Sequence, residues 1–241
     1  MKITANLMHF QELNSQVRNA HDNVIIIDNC IGQRYIGSGL SGKKITINGT
    51  PGNALGAYLD GAGIEVFGNA QDATGDTMNE GEIIIHGSSG DATGYAMRGG
   101  KILVKGDAGY RAGIHMKAYE DKIPKLVIGG CAGSFLGEYQ AGGVILVLGI
   151  GKDDETPIVG NFCGTGMHGG KIYLRTDKVP DRLPAQVAVS DPTDEDMEEI
   201  AALVEEYCGS FGGDSKKILK DKFLKLLPNT KNPYKRLYKN N

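Results

Sequence analysis

A glycine returns every 19 residues through the first half of the chain, at Gly37, Gly56, Gly75, Gly94 and Gly113. A second series closes each unit at Gly49, Gly68, Gly87 and Gly106. Three residues after each glycine of the first series stands an apolar residue: Leu40, Leu59, Met78, Met97 and Met116. A short glycine turn then leads into a β-rich run, such as KKITING, GIEVFG, EIIIHG or KILVKG. Self-similarity at so short a fixed period demands stacking, because one unit cannot bury its own apolar face. A helical-pair repeat needs about 34 residues, so this unit is too short for one. Two more copies follow, around Gly133–Gly137 and Gly160–Gly164, with insertions at about 117–124 and 150–157. The fifth copy departs from the others by ending at Gly129-Gly130. The glycines expected to be structural are Gly37, Gly56, Gly75, Gly94, Gly113, Gly137 and Gly164.

The runs alternate. Ile45 and Ile47, Ile64 and Val66, Ile83 and Ile85, Ile102 and Val104, Ile145 and Val147, and Ile172 and Leu174 occupy equivalent places. One face of each strand is therefore apolar and points inward. The residue between each pair points outward: Thr46, Glu65, Ile84, Leu103, Val127, Leu146 and Tyr173. It is polar in the first two units and apolar in the next five. An apolar stripe of this kind must be covered. The expected cover is either the chain after Pro184 or a partner protein, which makes Ile84, Leu103, Val127, Leu146 and Tyr173 a candidate partner-contact stripe.

The last fifty residues change character. Acidic residues after Asp191 open an amphipathic helix through Met197, Ile200, Leu203, Val204 and Tyr207, ended by Gly209, Gly212 and Gly213. Ile218, Leu219, Phe223, Leu226 and Leu227 read as a second helical stripe before Pro228, and the two predict a helical hairpin. A short helix is expected between Asn6 and Asn23 through Phe10, Leu13 and Val17. The predicted organisation is a repeat domain over 1–183 with a short lead-in, and a helical cap with a basic tail over 184–241.

Glycine makes up 36 of 241 residues without collagen spacing, so many tight turns are implied. A net charge of −3 and the absence of tryptophan argue against nucleic acid. No apolar run has the 18 residues of a membrane helix, and the N-terminus lacks a signal-peptide segment, so a soluble cytoplasmic protein is expected. Cys30, Cys131, Cys163 and Cys208 include no C-x-x-C pair and read as small buried hydrophobes. Gly37–Gly42 and Gly164–Gly169 fit G-x-G-x-x-G, but each leads to another strand rather than to a helix. Asp72, Asp76, Asp91 and Asp107 read as turn residues, and Arg98, Lys117 and His168 as a polar edge. No catalytic, cofactor-binding or metal-ligating residue is assigned.

The units resemble the GXGXG domain at the C-terminus of the glutamate synthase large subunit. Gly37–Gly42 is similar to the opening coil of that family, and Asn53–Tyr58 to the next. Gly130–Tyr139, with its Glu138-Tyr139 pair, resembles the penultimate coil, and Asn161–Gly170 the last. In the tail, Glu198–Gly213, Lys216–Leu219 and Pro228 through Pro233–Tyr238 look like the family's end. The resemblance implies a mainly β fold: a right-handed parallel β-helix of about seven coils with a C-terminal α-helical hairpin. It implies a non-catalytic scaffold without cofactor, which supports glutamate synthesis from glutamine and 2-oxoglutarate. The implied partners are a glutamine amidotransferase and an FMN/iron–sulfur glutamate synthase subunit, and a homo-oligomer could form in their absence. The same coil motifs also suit the β-helix component of formylmethanofuran dehydrogenase, a redox complex. An autonomous carbohydrate-active enzyme is the third reading.

Overall fold

The computed structural model describes residues 1–229. Its elements are β1 (Lys2–Thr4), α1 (Phe10–Asn19), β2 (Val24–Ile31), β3 (Lys44–Thr50), β4 (Asp60–Phe67), β5 (Glu80–Ile85), β6 (Lys101–Val104), β7 (Lys125–Ile128), β8 (Ala141–Val147), β9 (Gly169–Leu174), β10 (Val187–Ser190), α2 (Asp194–Phe211), α3 (Ser215–Ile218) and β11 (Leu224–Pro228). All eleven strands join one sheet in the order β1-β2-β3-β4-β5-β6-β7-β8-β9-β11-β10. Neighbours from β1 to β9 pair parallel, and β11 pairs antiparallel with both β9 and β10.

This corrects the expected fold class. The strands form a single mixed, mostly parallel sheet of eleven strands, not a right-handed β-helix of seven coils. Of the two apolar series in each unit, the alternating one lies in the strands; the Leu/Met series follows the turns and is buried in the same core. These turn segments are held in step with the sheet. Gly56, Gly75, Gly94 and Gly113 each donate a backbone N–H to the carbonyl 20 residues earlier. The helical hairpin is corrected as well. Only α2 is a full helix; α3 is 4 residues long, and the stripe through Leu226 becomes β11. Leu224 and Leu226 are buried while Lys225 between them is not fully so, which is the period of a strand, and the open edge of β9 supplies its partner. The segment after residue 183 therefore extends the same sheet through β10 and β11. The helix expected near the N-terminus is α1, with Leu13 and Val17 buried. The basic tail and the sequence resemblance at 233–238 lie outside the described residues.

The glycine ruler has a packing cause. A Cβ on Gly37, Gly56, Gly75, Gly113 or Gly137 would come within 2.7 Å of the Cδ1 of an isoleucine two strands further on. Each of these glycines also has positive φ. Gly94 has the same backbone, but its nearest neighbour would be Leu126 Cδ2 at 3.7 Å. A comparison of Gly113→Ala with Gly94→Ala separates the two causes. Both substitutions incur about 1 kcal/mol of left-handed strain. Only Gly113→Ala must also displace the buried Ile145, which adds about 1–3 kcal/mol. Urea unfolding should show that difference, and equal losses would refute the packing account.

Candidate functional site

Four residues of the outer stripe are buried, and the cover is the chain's own helix. Leu103, Val127, Leu146 and Tyr173 pack with Ile200, Leu203, Val204 and Tyr207 of α2, together with Ile218 and Phe223. Ile84 is only partly buried, at the margin of this cluster. Of the two covers expected for the stripe, the chain after Pro184 supplies it. The helix starts where Thr193 and Asp196 form a reciprocal capping box. Its tyrosine explains the first glycine of the odd pair in the fifth unit, and Asp107 crowds the second. The Tyr207 hydroxyl donates to the Lys105 carbonyl at 3.0 Å, and a Cβ on Gly129 would collide with that hydroxyl.

Asp196 ties α2 to two strands. Its carboxylate accepts from Lys225 Nζ at 2.5 Å, the Tyr173 hydroxyl at 2.6 Å and Lys171 Nζ at 3.3 Å. Glu199 accepts from the same tyrosine at 2.8 Å and from Lys171 at 3.2 Å. Burial alone would push the Asp196 carboxyl up, but Lys225, Tyr173 and Thr193 hold it far below the usual carboxylate range. Burial, reinforced by the two carboxylates, raises the Tyr173 phenol well above its ordinary value, so this hydroxyl is a fixed donor. Such a cluster is a structural clamp, with every charge matched.

The other chemical-looking residues resolve into structure. Burial pushes the Cys30 thiol up to about 11 and the Cys163 thiol up to about 12. It also raises Cys131 and Cys208, so all four stay protonated near neutrality. Asp72, Asp91 and Asp107 each accept the backbone N–H of Asp91, Tyr110 and Cys131 respectively, which links successive turns. His86 bonds Glu65 at 2.9 Å and stacks on Phe67. The G-x-G-x-x-G of residues 37–42 lies between β2 and β3. No group of three His, Cys, Asp or Glu among the described residues is placed to hold a metal. No helix among them is long and apolar enough to cross a membrane.

What sequence reasoning missed is a ridge along the turns. Besides its ruler glycine, each turn segment has two positions with positive φ. The first carries Tyr35, Ala54, Ala73, Ala92, Arg111, Phe135 and Phe162; the second carries Gly39, Tyr58, Thr77, Ala96, His115, Tyr139 and Gly166. Gly39 and Gly166 show the relaxed choice, yet bulky side chains occupy most of the other places. Each costs roughly 1 kcal/mol in backbone strain. In the second half of the ridge these side chains meet. His115 stacks on Tyr139 at 5.2 Å and edges Tyr95 at 5.9 Å. Phe135 packs between Tyr110 and Phe162. The Arg111 guanidinium lies over Tyr110 at 4.7 Å and pairs with the buried Glu138 at 2.7 Å. Tyr95, Tyr110, Tyr139 and Phe162 remain exposed. The signal was in the sequence, as aromatic and cationic residues at two fixed places of the repeat, but their backbone conformation was not.

The GXGXG motif family model matches residues 3–230. An uncharacterized protein of Methanocaldococcus jannaschii is 46% identical over 98% of this chain and 95% of its own length. A chain of the formyltransferase/hydrolase complex of Methylorubrum extorquens, solved with methylofuran, has a similar fold. Its TM-score is 0.64 at 20% identity, over 83% of this chain and 71% of that one.

Proposed function

The chain belongs to the GXGXG motif family, and we propose on that premise that it is a non-catalytic structural subunit of a glutamate-synthase-type assembly. Its partners in this reading are a glutamine amidotransferase chain and an FMN/iron–sulfur glutamate synthase chain. The chain holds no cofactor of its own and keeps the two catalytic chains in one particle. The observation that carries the reading is the family match across 3–230, together with the Glu138-Tyr139 pair and the Asn161–Gly170 segment that resemble the glutamate synthase domain. The ridge supports a contact role, because exposed tyrosine, phenylalanine and arginine dominate binding energy where proteins meet. A second reading, a component of a formyl-transfer or formylmethanofuran-type complex, is favoured by the fold likeness to the Methylorubrum chain.

Reconstitution distinguishes them. The chain is mixed with the separate amidotransferase and FMN/iron–sulfur chains of its own organism, and glutamine-dependent glutamate formation is assayed. The expected result is one co-eluting particle whose activity drops at least ~10-fold when this chain is omitted, a coupling worth about 1.4 kcal/mol or more. Full activity without it, and no co-elution, would overturn the proposal.

A further inference from the structure

The charges of this chain are segregated along the repeat. Between Lys44 and Arg98 there is no lysine or arginine, and there are seven carboxylates. From Arg98 to Lys125 there are seven cations and three carboxylates. The turn ridge inherits that division. Its first half presents Asp60, Asp72 and Asp76 around the exposed Tyr58. Its second half presents Arg98 and Lys117 among the aromatic side chains of Tyr95, Tyr110, Phe135 and Tyr139. Neither Arg98 nor Lys117 pairs with a carboxylate among the described residues, whereas Arg111 is already matched by Glu138. The two halves are opposite in sign, and exposed tyrosines stand on both.

We infer that the turn ridge is a homodimer interface, with two copies packed antiparallel so that the cationic half of each lies on the acidic half of the other. A two-fold contact uses the same patch twice and must be self-complementary, and a ridge split in this way meets that condition only when one copy is reversed. The outer stripe, already filled by α2, is not available for this contact. The inference stands apart from the assembly proposed above, because it concerns the isolated chain.

Charge reversal tests it. One variant carries Arg98→Glu with Lys117→Glu; a second carries Asp60→Lys with Asp76→Lys. Sedimentation equilibrium of the full chain should show a dimer weakened by added salt. Each variant alone should dissociate at least ~100-fold more readily, since like charges then face each other twice. Mixed in equal amounts, the two should form a heterodimer of near wild-type affinity, because each reversed half meets the other variant's reversed partner. A wild-type chain that stays monomeric to about 0.1 mM overturns the inference. So does a dimer that neither variant weakens, and so do two weakened variants that fail to restore each other.

Discussion

Leu146→Asp is expected to release α2 from the sheet and to lower stability by about 4 kcal/mol or more. Leu146 is fully buried between the sheet and α2, beside Tyr173, Leu203 and Val204. The substitution removes an apolar side chain worth about 2 kcal/mol and puts a carboxylate into a buried apolar cluster. Amide hydrogen exchange should show α2 losing protection first, because the helix covers the stripe from one side only. Leu103→Asp should behave alike. A variant that keeps wild-type unfolding and α2 protection would mean that the stripe is an open partner surface after all.

Asp196→Ala is the second large effect, about 3–5 kcal/mol, because it leaves the half-buried Lys225 without its carboxylate and the Tyr173 hydroxyl with Glu199 alone. Its pH signature follows from the direction of the shift. The folded carboxyl titrates below its unfolded value, which is about 3.9, so its stabilisation is fully present above that value. It is lost as the pH falls from there toward the folded value. Wild-type unfolding free energy should therefore drop between about pH 4 and pH 2, and Asp196→Asn should flatten that part of the curve. A wild type and an Asp196→Asn variant with the same acid slope would remove Asp196 from the account. At the alkaline side, Lys171 is pulled down by burial but carried above its ordinary range by Glu199 and Asp196. Its contribution persists through neutral pH and fades only at strongly basic pH.

Much was legible in the residues before any coordinates. The 19-residue glycine spacing marked the turns of the first five units, and the alternating Ile/Val pairs marked the inward face of the strands that follow them, because side-chain direction in a strand depends only on parity. The acidic residues after Asp191 and the apolar spacing from Met197 to Tyr207 located α2. Three things were not legible. Whether Leu103, Val127, Leu146 and Tyr173 face a partner or the chain's own helix depends on where a segment much further along the chain comes to rest. Ile218–Leu227 carries apolar residues that suit either period, and the free edge of β9 decided for a strand. The ridge residues looked like scattered aromatics because sequence spacing says nothing about φ. Local pattern thus specified which residues turn inward and where the chain bends, since those are nearest-neighbour effects. The cover of the stripe, the eleventh strand and the two-sided charge of the ridge arise from contacts between distant segments, and only packing brings those together.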